Sequence, residues 1–556
     1  MWLTIYVISI LPALSFNGKL TLELKSQLNA INQGEKILAI IHMREQYPYE
    51  EVENLSIHER AQVFKDIAKA SQQPLIDYLK QFPEKVDSIR QFWVFNGFHI
   101  KATKDIIEEI AKRDDIWFIS HNAKVELPPT ERGEEIPSRA IEWNIQKVMA
   151  DSCWNAGYTG TGIFIGHIDT GVNFNHPALQ GKWSGKWRDY INGQPNPYDD
   201  NGHGSHTAGI ICGGDGLGPF TNDIGVAPSV RIIAAKVFSS YETPIEIILA
   251  AMEWMAALKA DSGYNIRAVS NSWGGPGVSL YFWNVCNTWK SLQIFPVFAI
   301  GNMGPGSGTT CPPGNYPLVI AGGATNLNDS IANFSSRGPA PNQSPWNDII
   351  NWYRIDWNLI KPDISAPGVS VRSAYYNNNY YVMTGTSMSA PHIAGATAVL
   401  CQANPNLTVR EIYNILLNNA DHPSQGAPYP NNNYGWGRLN IWKSLQSVVG
   451  VAEQEKICPF INFVSIAPNP TKGDIKIGFN SNNNFQINIK LYDASGRLLH
   501  QKDLLPRKQG SRYLLEHLKG DMNEFSISLN NLPAGIYFVK LETQHINIIK
   551  KVIRVN

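Results

Sequence analysis

The sequence is short of several things. It carries no net charge, because 47 Lys and Arg balance 47 Asp and Glu over 556 residues. That excludes a chain whose main task is to grip nucleic acid or an anionic membrane through its overall field. Charged residues are only 17% against 43% hydrophobic, so most of the chain can bury a core. Cysteines number six, and no two of them form a C-x-x-C pair, which removes the common zinc and redox motifs. Cys286 and Cys311 lie in loop-like sequence and are a candidate disulfide pair, whereas Cys212 and Cys401 sit in apolar runs and read as small buried hydrophobes. No D-x-D-x-D-G calcium loop is present. Long apolar runs are missing too. The one candidate, residues 2–14, is shorter than the roughly 20 residues a bilayer requires. With Ala13-Leu14-Ser15 behind it, residues 1–15 read as a secretory signal peptide.

What is present falls into three domains. Residues 35–127 order as strand, helix, two strands around Asn96-Gly97, helix, strand, which is the ferredoxin-like arrangement. Residues 128–140 are polar, contain proline and lack periodicity, so they read as an exposed linker open to proteolysis. Residues 141–450 alternate β-branched runs such as IFIGHID and FPVFAI with helical stretches, predicting a parallel sheet with helices on both faces. Ligands of such sheets bind at the carboxyl ends of the strands. A short linker, residues 451–460, leads to residues 461–556, whose period-2 alternation predicts an Ig-like antiparallel β-sandwich.

Three stretches of the α/β region carry chemistry. Asp169 ends an apolar strand in IGHIDTG, His203 opens a helix in NGHGSHTAGI, and Ser387 lies in GTSMSAPHIAG with Pro391 just inside a helix start. A serine hydroxyl is a weak nucleophile until a base stands beside it. Histidine has the right pKa for that base, and a carboxylate behind it fixes the tautomer and stabilises the imidazolium. Asn302 in AIGNMGPGS supplies an amide donor for the oxyanion, and the Ser387 backbone N–H can supply a second. Any of these residues alone would be an ordinary cap or turn residue; their order is what carries the reading. His206 and His392 read as helix-packing residues.

Taken together these motifs resemble the subtilisin-like serine proteases, in which the triad runs Asp, His, Ser along the chain. GVAPSVRIIAAKVF, SNSWGG, FSSRGP and KPDISAPGVSVRSA add to the match, which covers roughly residues 145–448 and is most similar to the bacillopeptidase F-like branch. The resemblance implies a secreted serine endopeptidase made as a zymogen, with polypeptide substrates and no cofactor in the chemistry. Calcium is common in the family, but a site built on backbone carbonyls leaves no readable motif here. It implies that residues 35–127 are an inhibitory propeptide, cut away within residues 124–140. APNPTKGDIKI, LYDASGRLL and NLPAGIYFVK resemble the sorting domain of the type IX secretion system, implying that machinery as a partner and export across the outer membrane.

The resemblance also places Ser272, Trp273 and Gly274 on a strand that pairs with substrate, with Ala299, Ile300 and Gly301 along the primary specificity pocket. Trp273 has two readings, pocket floor or core packing. No charge is evident in that pocket, which favours apolar side chains or a broad preference. Residues 281–293 form either a helix on the sheet or a narrowing of the cleft, and residues 342–363 form an insertion with no assigned role. A different class, a catalytically silent adhesion protein on the same scaffold, is suggested by the many aromatics; the intact triad and Asn302 speak against it.

Overall fold

A computed structural model describes residues 19–127, 130–135, 141–275, 277–354, 356–456, 461–467, 471–481, 487–493, 497–504, 523–542 and 547–555. The signal peptide expected at residues 1–15 and Cys458 lie outside them. The chain forms two compact units, Met1–Leu445 and Gln446–Asn556. No described helix is long and apolar enough to cross a membrane.

The first unit begins with α1 (Leu22–Ala30), β1 (Lys36–Met43), α2 (Ile57–Leu79), β2 (Val86–Phe92), β3 (Gly97–Thr103), α3 (Lys104–Ile110) and β4 (Ile116–His121). The strands form one antiparallel sheet in the order β2-β3-β1-β4, the ferredoxin-like order. Two features were not legible. The first, α1, buries only Leu24 and Leu28, too sparse a stripe to read as a helix. The second, β2, starts at Val86, and six of its seven residues are half-buried or exposed, so no apolar run announces it. A reciprocal Ser56–Glu59 capping box fixes the start of α2.

Two short strands follow, β5 (Lys124–Glu126) and β6 (Glu131–Glu135). The second corrects the expectation of an unstructured linker over residues 128–140, because residues 131–135 pair into a sheet.

The α/β region contains α4 (Trp143–Lys147), α5 (Ala150–Asn155), β7 (Phe164–Asp169), β8 (Trp183–Asp189), α6 (His203–Cys212), β9 (Arg231–Lys236), β10 (Glu242–Pro244), α7 (Ile245–Ser262), β11 (Ile266–Asn271), α8 (Trp283–Ser291), β12 (Phe295–Ala299), β13 (Ile320–Thr325), β14 (Ile364–Pro367), β15 (Val371–Ala374), β16 (Tyr380–Thr384), α9 (Thr386–Ala403), α10 (Val409–Asn418) and α11 (Ile441–Lys456). Seven strands make a parallel sheet in the order β14-β13-β12-β11-β7-β9-β8. Its central strands are buried along nearly their whole length, as strands covered on both faces must be. Helices pack in pairs against it, α6 with α9 and α7 with α8. Asp169 at the end of β7 and the first turns of α6 and α9 thereby converge at the carboxyl edge.

Two expectations are corrected here. Cys286 and Cys311 are free thiols, and Cys286 is buried on α8, so the candidate disulfide is not formed. The expected linker from residue 451 is helical as far as Lys456, the end of α11. Pro391 lies inside α9, its sixth residue, as expected just past the helix start.

Residues 281–293 take the first of their two readings, as α8 packed on the sheet. The insertion at residues 342–363 contributes Trp346 to this core, fully buried, with its ring 5.7 Å from Trp283 and 6.0 Å from Tyr316. The N-terminal domain sits on α7 and α8. Glu253 accepts hydrogen bonds from the Trp93 and Val94 N–H groups at 2.8 and 3.2 Å, and Arg60 donates to the Ser291 carbonyl at 2.6 Å.

The second unit contains β17 (Ile461–Ala467), β18 (Ile475–Ser481), β19 (Ile487–Asp493), β20 (Leu498–Leu504), β21 (Asn523–Ile527), β22 (Gly535–Glu542) and β23 (Asn547–Arg554). They form two antiparallel sheets, β17-β18-β21 and β20-β19-β22-β23, as a β-sandwich requires.

Candidate active site

Asp169 ends β7 and is buried. Its Oδ1 lies 2.7 Å from His203 Nδ1 and accepts the Thr170 N–H at 2.7 Å. A carboxylate only accepts, so the His203 proton sits on Nδ1 and Nε2 keeps its lone pair. Burial alone would lower the His203 pKa, but the Asp169 charge and hydrogen bond outweigh it and raise the imidazole above its ordinary value. Burial pushes Asp169 upward, and His203 more than compensates, holding the carboxyl below its usual range.

His203 is placed by the turn before it. Gly202 precedes α6 at φ +100°, and a Cβ there would stand 2.2 Å from the Tyr375 ring. Only glycine satisfies both conditions. Asn201 shapes the same turn by accepting the His203 N–H at 3.2 Å.

Behind Asp169 lies a polar pair that sequence reasoning missed. Thr207 Oγ1 donates to Asp169 Oδ2 at 3.3 Å and lies 2.8 Å from His167 Nε2. Burial keeps His167 below its ordinary pKa, against the pull of Asp169. The signal was available: His167 precedes Asp169 by two residues, the spacing of one strand face, and Thr207 follows His203 by four, one helical turn.

Ser387 is the second residue of α9. Its hydroxyl donates to the Ser272 carbonyl at 3.2 Å, while Ser272 Oγ donates to the Ser387 carbonyl at 2.9 Å. His203 Nε2 is buried and finds no hydrogen-bond partner among the described residues. Asn302 Oδ1 is anchored by the Thr386 N–H at 3.0 Å and the Thr386 hydroxyl at 2.8 Å, which turns the other end of the amide, Nδ2, toward Gly385. A Cβ on Gly385 would stand 3.2 Å from that Nδ2. Nδ2 and the first-turn N–H groups of α9, which have no carbonyl of their own helix to bind, therefore share one corner.

A cavity of about 560 Å³ opens beside Asn302, walled by Ala299, Gly301, Val278, Cys311 and Pro341. Ile300 is buried in the core. Trp273 lines the cavity yet is itself fully buried, with its ring 5.2 Å from Phe298 and its N–H on the Ile168 carbonyl at 3.0 Å. Both readings of this tryptophan therefore describe its position. His206 Nε2 lies 3.1 Å from the Val371 and Tyr381 carbonyls, and His392 Nδ1 lies 2.8 Å from the Met388 carbonyl; neither faces the triad.

The chain leaving the N-terminal domain runs along both walls of this site. Glu126 and Gly274 exchange two backbone hydrogen bonds, at 3.0 and 3.2 Å, and β5 pairs antiparallel with β10 on its other side. Leu127 is buried and donates its N–H to the Tyr241 carbonyl at 2.7 Å. Beyond it, Thr130 lies against Gly385, where an added Cβ would meet its methyl at 3.0 Å, and Glu131 pairs with Thr384.

Comparison with known proteins agrees with this geometry. Residues 160–437 match the subtilase family and residues 465–556 match a secretion system C-terminal sorting domain. The chain belongs to the subtilase family. It is similar to bacillopeptidase F of Bacillus subtilis (strain 168), 35% identical over 418 residues, which is 68% of this chain and 28% of that protein. The alkaline protease of Shouchella clausii is 30% identical over 374 residues, 61% of this chain and 87% of that protein. Subtilisin Savinase of Lederbergia lenta is 33% identical over 305 residues, 54% of this chain and 98% of that protein. The chain thus spans little more than a quarter of bacillopeptidase F but nearly all of the shorter subtilisins. Subtilases are serine endopeptidases, and the sorting domain marks a secreted chain. Among the described residues, no group of three or more His, Cys, Asp or Glu side chains is placed to hold a metal ion.

Proposed function

We propose that this subtilase is the zymogen of a secreted serine endopeptidase, with residues 35–127 as its inhibitory propeptide. The observation that carries the reading is the placement of residues 124–126 and 131–135, which lie as strands on the two walls of a site holding Asp169, His203 and Ser387. An extended chain laid across a nucleophile is a substrate held in place. Because Glu126 is paired on one wall and Glu131 on the other, the bond to be cut lies between Leu127 and Glu131.

In the proposed reaction His203 Nε2 takes the Ser387 proton as Oγ attacks the peptide carbonyl. Asp169 holds the imidazole in the Nδ1–H tautomer and stabilises its charge. The Asn302 amide and the N–H of Ser387 receive the oxyanion. His203 then protonates the leaving amine, and water releases the acyl group by the reverse sequence. These steps use only groups of this chain. The apolar cavity wall favours an apolar side chain just before the scissile bond. The C-terminal domain would deliver the chain to the type IX machinery.

The test is labelling of the matured protein with a fluorophosphonate probe, followed by mass spectrometry. The expected result is one adduct on Ser387 and a new N-terminus between Leu127 and Glu131. No adduct on a chain that has lost its first domain would sink the reading.

A further inference from the structure

A further cavity, of about 600 Å³, lies where the N-terminal domain meets α8. It shares no lining residue with the cavity beside Asn302. Its walls come from both sides of the boundary. The N-terminal domain supplies Arg44, just after β1, with Tyr49 and with Trp117 of β4. The α/β region supplies Leu280, Trp283 and Asn284 around the start of α8. The insertion at residues 342–363 closes another side with Gln343 and Pro345.

The aromatic walls are held by their own packing. The Trp283 ring lies 5.1 Å from Tyr316 as well as against Trp346, and Trp117 meets Phe118 edge-on at 4.9 Å. The Tyr49 hydroxyl crosses the boundary, 3.3 Å from the Asn284 carbonyl and 3.1 Å from Thr288 Oγ1. The polar groups, by contrast, are unbalanced. Asn284 is 5% exposed, and its Nδ2 finds no acceptor among the described residues. A buried donor without an acceptor is costly, so it marks a place where an acceptor belongs. The Arg44 guanidinium, on the exposed rim, pairs with no carboxylate among the described residues. No described Asp or Glu lines the cavity. The lining thus offers donors, one positive charge and aromatic faces. Its complement is a negatively charged acceptor carried on a flat apolar body.

From this arrangement we propose that the cavity binds a small aromatic carboxylate. Its ring lies among Trp117, Trp283 and Leu280, and its carboxylate takes Arg44 and the Asn284 amide. Because the walls come from two domains, the site is complete only while the N-terminal domain is docked. A ligand that binds the docked state alone stabilises it by mass action. The carboxylate therefore delays departure of the N-terminal domain after the cut. That consequence rests on the propeptide reading above; the binding itself does not.

The probe is 3-phenylpropionate, with 3-phenylpropanamide as its uncharged match. Calorimetric titration uses the full chain carrying Ser387→Ala, which keeps the N-terminal domain attached. One saturable site is expected, with the amide weaker by about tenfold. Arg44→Gln, at an exposed position that does not disturb folding, should weaken the carboxylate about tenfold, and Asn284→Leu should weaken it severalfold. No saturable binding overturns the proposal, as does binding that neither the amide nor Arg44→Gln alters. Equal binding to the matured chain without its first domain overturns it too. In the wild-type chain, the probe at ten times its Kd should lengthen the lag before peptide hydrolysis about tenfold. At that same concentration the Arg44→Gln chain should show a lengthening of only about twofold. A lag that the probe leaves unchanged, or lengthens equally in Arg44→Gln, overturns the delay of departure. A wild-type chain that never sheds its first domain, with or without the probe, would instead count against the propeptide reading, and the titration would still decide the binding.

Discussion

Ser272 and Ser387 are joined by two hydrogen bonds that run in opposite directions, Ser272 Oγ to the Ser387 carbonyl at 2.9 Å and Ser387 Oγ to the Ser272 carbonyl at 3.2 Å. The first has a cause in the sequence. A helical carbonyl is normally bound by the N–H four residues on, and for Ser387 that residue is Pro391, which has none. The Ser272 hydroxyl takes over that donor role. The second bond keeps the Ser387 proton on the Ser272 carbonyl, while His203 Nε2 has no hydrogen-bond partner among the described residues. Ser387 Oγ and His203 Nε2 are thus not hydrogen-bonded to each other in this structure.

Ser272→Ala should leave the buried Ser387 carbonyl without a donor, at a cost of about 1–3 kcal/mol. Ser272→Thr keeps a hydroxyl and should recover most of it. Thermal unfolding of Ser387→Ala backgrounds would measure the cost without autolysis. Ser387→Ala itself should lower turnover on the order of 10⁶-fold, and its N-terminal domain should remain uncut on a denaturing gel.

Asn302→Ala should lower kcat by about 100- to 1000-fold and leave KM nearly unchanged, because the oxyanion exists only in the transition state. Steady-state kinetics on one peptide would distinguish this from a loss of substrate binding, which would raise KM. The variant also removes the acceptor for two Thr386 donors, so the crystal structure of the variant should show Thr386 reoriented if those bonds anchor the amide.

The positions of Asp169, His203 and Ser387 at one edge of the sheet were legible because the three sit in short motifs at element starts and ends, where local sequence dictates local structure. The sheet and the ferredoxin-like order were legible through period and turn residues. The pair His167 and Thr207 was not read, because each looks like an ordinary core residue until β7 and α6 are brought together. The pairing of residues 131–135 was invisible for a related reason: the partner strand β16 lies some 250 residues away, and nothing in a polar, proline-flanked stretch reveals it. Likewise Trp346 could not be placed, since its role depends on Trp283 and Tyr316 meeting it across the fold.

Acid should loosen the N-terminal domain. His42 is buried against Phe118, with ring centroids 4.0 Å apart, and against Phe95 at 5.0 Å. Neither of its ring nitrogens finds a hydrogen-bond partner among the described residues. Burial pushes its pKa down to about 3. The unfolded domain, with an ordinary histidine near 6.5, therefore binds more protons than the folded one between these two values. Stability is complete above pH ~6.5 and falls as pH drops toward 3, by about 2 kcal/mol at pH 5 from this residue alone. Cleavage of the N-terminal domain after activation should accelerate from pH 7.5 to pH 5, and His42→Phe should flatten that dependence. An unchanged dependence in the variant would assign acid sensitivity to other groups.

The last prediction concerns the charge behind the base. Thr207 gives Asp169 Oδ2 a hydrogen bond at 3.3 Å and stands between it and the neutral His167. Thr207→Val preserves shape and removes that donor. Asp169 then has less support for its charge from behind and holds the His203 imidazolium more strongly, so the His203 pKa rises. Because His203 must be neutral to act as base, the acidic limb of kcat/KM should move to higher pH, by a few tenths of a unit to about one unit. His167→Leu should move the limb in the same direction by less, since Thr207 remains. If both variants merely lost stability, the limb would stay in place while the unfolding temperature fell. If the limb moved to lower pH, the hydroxyl would be acting on His203 through another route, for which the His203 and Gly204 carbonyls, both 3.2 Å from Thr207 Oγ1, are the alternative acceptors of its single proton.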